Sequence, residues 1–210
     1  AVTADADATD TTGGYQRGNY CTLNPLNKSD TATISNGNLS IVDNVDSDQT
    51  TGTIAVSSGK YYFEAKITTY SGTQQDGLVG ISDVNRTNFE EYVGKGAYSY
   101  GIAIAEYNTY MKKYNGNTAV DTDLTPPVLG DTVGVAFDLD NGKVYFHKNG
   151  VYANSGDPAA GTNAAYTGLS GTFAPAITCS GSTGGTVGHD LNFGQMRFKY
   201  PIPSGYAALN

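Results

Sequence analysis

Residues 130 to 151 read G-D-T-V-G-V-A-F-D-L-D-N-G-K-V-Y-F-H-K-N-G-V, with two Asn-Gly dipeptides set among alternating apolar side chains. Asn-Gly favours a two-residue type I′ turn, because both central residues need φ > 0 and these two tolerate it at least cost. The pattern predicts reversals at Asn141-Gly142 and at Asn149-Gly150, hence a three-strand antiparallel meander. In the register that the first turn implies, Asp140 faces Lys143, Leu139 faces Val144 and Phe137 faces Phe146. One side of the meander then carries Val133, Val135, Phe137, Leu139, Val144 and Phe146 as a continuous apolar face.

A chain of 210 residues can bury one substantial core and is short for two full domains. With 27 Gly, 16 Tyr and 7 Pro and no long segment of helical period, the expected fold is all-β, a two-layer antiparallel β-sandwich. The formal net charge of −8 disfavours nucleic acid as a partner. Phosphate binding needs clustered Lys and Arg, and only Lys112-Lys113 approaches a cluster. Acidic lipid surfaces are disfavoured on the same ground, and no apolar run approaches the roughly 20 residues of a membrane-spanning helix, so no membrane insertion is expected.

Residues 1–14 are small, polar and acidic and read as a flexible arm. Residues 15–57 read as N-terminal strands that elaborate the sandwich, including a short strand over Asn38 to Asp43 after the turn at Asn36-Gly37. From 58 to 210 the chain reads as the sandwich proper. In Lys60 to Ile67, Tyr61, Phe63, Ala65 and Ile67 alternate with Tyr62, Glu64 and Lys66, so one face is buried and the other meets solvent or another surface. Tyr98, Tyr100, Ile102 and Ile104 repeat the alternation, and Thr172 to Cys179 and Asp190 to Phe193 supply late strands. Four long connections, 70–76, 84–97, 114–130 and 154–171, are rich in Gly, Asn, Thr and Tyr, and loops of this length are usually functional or mobile. Cys21 and Cys179 are open to two readings, a single disulfide or two separate buried thiols. The second is the more common role of isolated cysteines.

These segments resemble the SPRY (B30.2-like) domain, in which a strand ending D-x-D-N-G-K is followed by an aromatic pair and K-N-G-V. Gly59-Lys-Tyr-Tyr-Phe-Glu-Ala-Lys-Ile67, Gly77-Leu-Val-Gly-Ile-Ser82, Ser99-Tyr-Gly101, Asn192-Phe-Gly-Gln195 and the ending F-K-Y-P-I-P-S-G-Y match in the same order. The resemblance covers roughly Ser58 to Leu209. The chain departs from the family in lacking Trp, and Tyr61, Tyr145 and Tyr152 stand where members often carry it. The resemblance implies a concanavalin A-like jelly roll and a non-enzymatic recognition module that uses loops at one side of the sandwich. The tyrosine usage, the Gly/Asn/Thr-rich loops and the C-terminal ending look most like versions in bacteriophage tail or virion proteins. That likeness implies a virion or extracellular setting.

No catalytic residue is assigned. His147 and His189 are the only histidines, neither accompanies a nucleophile elbow, and each is expected to be solvated or hydrogen-bonded. A glycosidase needs two carboxylates about 5–10 Å apart across the sugar. The four glutamates, Glu64, Glu90, Glu91 and Glu106, form no such strand motif, and Glu64 reads as an outward strand residue. Asp43, Asp46 and Asp48 crowd one loop as weak calcium candidates, yet the Gly and Glu of an EF-hand loop are missing, so no metal and no cofactor is assigned.

Binding is what remains. Tyr, Asn, Gly and Ser or Thr on loops of a rigid sandwich offer amphipathic rings beside adaptable hydrogen-bonding groups. Tyr107, Tyr110, Tyr114 and Asn115, with Tyr70 and Tyr92 in neighbouring loops, form the candidate surface, and about half of these rings are expected to cover the core instead. The expected partner is a protein or a surface glycan. The competing class is an assembly subunit, packing as a homo-oligomer or against a virion tail partner, and a glycan-active enzyme ranks third.

Overall fold

The structure, a computed structural model, describes residues 18–44, 48–71, 74–85, 91–104, 109–182 and 185–210, so the expected arm at 1–14 lies outside the described residues. Among the described residues, fourteen strands, numbered in chain order, form two antiparallel sheets. Sheet A runs β1 (Thr33–Ser35), β2 (Ser40–Asp43), β14 (Thr186–Asn192), β4 (Lys60–Ser71), β9 (Thr132–Asp138), β10 (Lys143–Lys148) and β11 (Val151–Tyr152). The short β12 (Tyr166–Thr167) also pairs with β10. Sheet B runs β3 (Gln49–Thr51), β13 (Phe173–Ser182), β5 (Gln74–Asp83), β6 (Ser99–Ala103), β7 (Lys112–Asn115) and β8 (Thr118–Asp121). The only helical segment among the described residues is a 3₁₀ turn at Ala153–Ser155. The two-layer sandwich is therefore as expected.

The inner faces meet through the alternating side chains. Phe63, Ala65 and Ile67 of β4, Val133, Val135 and Phe137 of β9, and Val144 and Phe146 of β10 pack in one core with Val79, Ile81, Ile102, Phe173 and Ile177 of sheet B, all essentially excluded from solvent. Each large apolar side chain so buried stabilises the fold by roughly 1.5–3 kcal/mol relative to exposure. Cys21 and Cys179 are free and buried, so the two-thiol reading holds.

The Asn149-Gly150 turn forms as expected: His147 pairs with Tyr152 and Lys148 with Val151, with φ of 51° at Asn149 and 84° at Gly150. The first turn differs. Lys143 pairs with Asp138 and Val144 with Phe137, so the loop spans four residues, Leu139 to Gly142, and only Gly142, at φ 60°, is left-handed. The cause is the buried Asp138 carboxylate. It accepts the Asn141 backbone N–H at 3.0 Å and the Asn141 side-chain amide at 2.8 Å, and pairs with Lys60 Nζ at 3.0 Å. The predicted Asp140–Lys143 pair is absent because both have other partners: Asp140 accepts the Gly59 N–H at 2.7 Å and Lys143 donates to the Gly161 carbonyl at 2.7 Å. The register moves by two residues, which returns every side chain to its predicted face.

The outer face of β4, β9 and β10 is covered by the C-terminal segment. Ala207 donates to the Lys60 carbonyl and accepts from the Tyr62 N–H, both at 2.9 Å, and Leu209 donates to the Phe193 carbonyl at 3.0 Å. Beneath this strap, Tyr62, Ala136, Tyr145 and Tyr206 pack with Tyr152 and Phe198. Glu64 does point outward, yet it is only 4% exposed, because the strap lies over it. Its carboxylate accepts the Lys199 and Tyr200 N–H groups at 2.9 Å and the Tyr62 hydroxyl at 2.8 Å.

Candidate functional site

Of the candidate tyrosines, Tyr92 and Tyr114 sit on the outer face of sheet B near its β8 edge. The connection from β5 to β6 crosses this face, placing Val93 in a small cluster with Leu78, Ala103 and Ala176. The Val93 N–H donates to Thr178 Oγ1 at 3.0 Å and the Gly94 N–H to Ser99 Oγ at 2.7 Å, which fixes the crossing. Gly94 has a φ of 90°, and a Cβ there would stand 2.4 Å from the Tyr114 Cβ, so only glycine lets the connection lie this close to β7.

Stretch 114–130, expected as a loop, contains β8. Asn115 pairs with Thr118 around a two-residue turn at Gly116 and Asn117, whose φ values are 58° and 59°. No sequence pattern marks this strand, because Thr118 to Asp121 is exposed throughout and carries no apolar alternation. The turn is stitched to the crossing connection: Asn117 N–H donates to the Gly94 carbonyl at 3.1 Å and Gly116 N–H to the Gly96 carbonyl at 3.3 Å.

On this platform the Tyr92 and Tyr114 rings meet edge to face, centroids 6.2 Å apart and planes at 89°, a favoured aromatic geometry. The Tyr92 hydroxyl donates to Asn117 Oδ1, and Lys95 Nζ lies 5.8 Å from the Tyr92 ring centroid. Partial burial, together with the nearby Glu91 carboxylate, raises the Tyr92 pKa. Tyr110, just before β7, is 42% exposed. Asn115 uses its amide to donate to the Ala97 and Ser99 carbonyls at 3.0 and 2.9 Å, a contact that holds the platform together. Tyr70 lies elsewhere: it packs against the main core and its hydroxyl donates to the Ile104 carbonyl. Tyr107 lies outside the described residues. The structure thus brings Tyr92 and Tyr114 together, with Tyr110 leading into β7.

Both histidines are buried more deeply than expected. His147 is 1% exposed; its Nδ1 accepts the Gly150 N–H at 3.1 Å, and its Nε2 lies 2.7 Å from the Tyr62 hydroxyl. Since Nδ1 is an acceptor, the neutral ring carries its proton on Nε2 and donates to Tyr62, which donates in turn to Glu64. Burial lowers the His147 pKa to about 4. This His, Tyr and Glu chain lies under the strap with each group hydrogen-bonded, which makes it a clamp between sheet A and the strap. His189, expected to be solvated or hydrogen-bonded, is 0% exposed, and neither ring nitrogen has a hydrogen-bond partner among the described residues. Burial also lowers its pKa to about 4.

Asp43 is buried and accepts the Ser29 hydroxyl at 2.7 Å and the Thr31 hydroxyl at 2.8 Å. Asp46 lies outside the described residues. Among those described, no three His, Cys, Asp or Glu side chains gather as a metal ion would require.

The family model for the SPRY domain matches residues 60–196. Among solved structures, the chain is similar to the SPRY domain of human HERC1, with 16% identity, a TM-score of 0.59, and coverage of 80% of this chain and 96% of that one. It is similar to the PSpry domain of TRIM65, with 15% identity, a TM-score of 0.57, and coverage of 83% and 90%. Stonustoxin gives 17% identity and a TM-score of 0.57 over 82% of this chain and 27% of that chain. At these identities the structural likeness concerns the fold.

Proposed function

This chain belongs to the SPRY family of protein-interaction modules, which are typically non-catalytic, and on that premise we propose that it recognises its partner through the tyrosine platform on the outer face of sheet B. The observation that carries the reading is the Tyr92–Tyr114 pair, held on a crossing connection that is hydrogen-bonded to both β6 and the β7–β8 turn. Rings held in place before binding lose little conformational entropy on contact, and their hydroxyls set orientation. The setting we propose is a virion or another extracellular structure, with a protein or surface glycan as partner. This rests on the Tyr-, Asn- and Gly-rich loops and the absence of Trp.

The test is a peptide and glycan array probed with the wild-type chain and with Tyr110→Ala and Tyr114→Ala. At least a tenfold loss of binding in Tyr114→Ala, with unfolding unchanged, supports the platform. Unchanged binding in both variants removes it. A second reading, assembly with copies of itself, is favoured by β8, an edge strand exposed over its whole length and open to a further strand. Sedimentation separates the two: a monomer that binds supports recognition, whereas concentration-dependent polymers that Val120→Pro abolishes support assembly.

A further inference from the structure

A second surface lies on the opposite sheet. The β10–β11 turn, the segment after the 3₁₀ turn and the start of the strap enclose an open groove of about 630 Å³, lined among others by Asp123, Val151, Tyr152, Asp157, Pro201 and Ile202. Val151 is 63% and Ile202 37% exposed, a large apolar exposure for neighbours in one depression. The neighbouring loop adds Val128 and Leu129, at 56% and 61%. It is tied to the same turn through Asp131, which accepts the Asn149 amide at 2.7 Å and the Val128 N–H at 2.9 Å.

Two features select the occupant. The charged residues lining the groove are Asp123 and Asp157, and no Lys or Arg lines it. The groove also runs along a free strand edge, since β11 is the last strand of sheet A. In a hairpin closed by a two-residue turn, the pair beside the turn exchanges both backbone bonds and the next pair directs its N–H and C=O away from the partner. In β11 that outward residue is Tyr152, whose C=O also caps the following 3₁₀ turn, so its N–H is the group left to a further strand. The Tyr152 ring itself turns inward beneath the strap, 5.0 Å from the His147 ring, and leaves the strand edge to the backbone.

We propose that this groove binds an extended peptide segment of a partner protein, an apolar side chain flanked by Lys or Arg, which adds along β11. The Tyr152 N–H takes a peptide carbonyl, Val151 and Ile202 take the apolar side chain, and Asp123 and Asp157 take the cations. The proline residues of the rim keep the groove open at little entropic cost on binding. This surface is separate from the tyrosine platform.

The probe is an array of seven-residue peptides with a central Leu, Ile or Phe flanked by Lys or Arg, beside counterparts flanked by Asp, Glu or Ser. Fluorescence anisotropy of the best sequence then follows against wild type, Val151→Lys, Asp157→Asn and Tyr114→Ala. Selection of the cationic set supports the proposal. So do a tenfold or greater loss in Val151→Lys, a severalfold loss in Asp157→Asn that shrinks at high salt, and no change in Tyr114→Ala. Val151 and Asp157 are both exposed, so these variants retain the fold. Selection of neutral or acidic peptides, no binding of any cationic peptide, or equal affinity in Val151→Lys overturns it. Dimerisation that Val151→Lys abolishes also overturns it, since the occupant is then a second copy of the chain.

Discussion

Replacing His189 with Leu tests whether a buried, unpartnered imidazole is an acid-sensitive weak point. His189 is 0% exposed, on β14 between Ile41 of β2 and Ile67 of β4. Burial takes its pKa from 6.5 to about 4. With the folded value below the unfolded one, the unfolded chain binds more protons in between. Stability is therefore full above pH 6.5 and is lost as pH falls towards 4. At about 1.36 kcal/mol per pH unit, the loss from this residue is about 3 kcal/mol at its limit and about 2 kcal/mol at pH 5. His147, with the same lowered value, contributes a similar amount, so the two histidines together cost about 4 kcal/mol at pH 5. His189→Leu removes one of these contributions. It also removes two buried nitrogens that have no partner among the described residues, a penalty of about 1–3 kcal/mol, against a repacking cost of about 1.5 kcal/mol or less. Urea unfolding at pH 7, 6 and 5 is the assay. The expected result is equal or higher stability at pH 7 and an acid loss smaller by about 2 kcal/mol at pH 5. A variant that loses more than about 2 kcal/mol at pH 7 and keeps the wild-type acid slope refutes the reasoning, because His189 then holds a partner worth more than its burial costs.

Other expectations follow from single contacts. Glu64→Gln keeps the shape but weakens the bonds to the Lys199 and Tyr200 N–H groups, and should lower stability by about 2 kcal/mol, with faster proteolysis of the strap as the local readout. Asn149→Ala puts a left-handed φ of 51° on a residue that resists it and deletes the bonds to the Thr132 N–H and the Tyr200 hydroxyl. Urea titration should show a loss of about 2–3 kcal/mol. Cys21 and Cys179 are buried, which raises both thiol pKa values, so a thiol reagent should leave the native chain unmodified and label two sites in urea.

Much of the sandwich was legible because its signals are local. Period-two alternation placed Phe63, Ala65, Ile67, Val133, Val135, Phe137, Val144 and Phe146 on the buried face, and Asn149-Gly150 announced its own turn. The candidate site was legible only in part. The tyrosines were visible as a composition, but that Tyr92 stands against Tyr114 depends on a connection crossing from β5 to β6, and β8 lacks any apolar pattern to betray it. The β10–β11 groove has no signature in the sequence because its walls come from residues 123, 150–152, 155–159 and 201–203, whose convergence no local pattern encodes.

By itself the sequence determined which side chains face the core and where the chain can reverse, since both follow from backbone sterics within a few residues. Tertiary structure decided what lies opposite what. Lys60, from a distant strand, helps Asp138 hold a four-residue loop where Asn141-Gly142 alone favours two. The strap turns the outer face of β4 from solvent-facing into a second buried layer around Glu64, Tyr62 and His147. Burial, charge pairing and free strand edges depend on segments remote in sequence, and those are the properties that set this protein's surfaces.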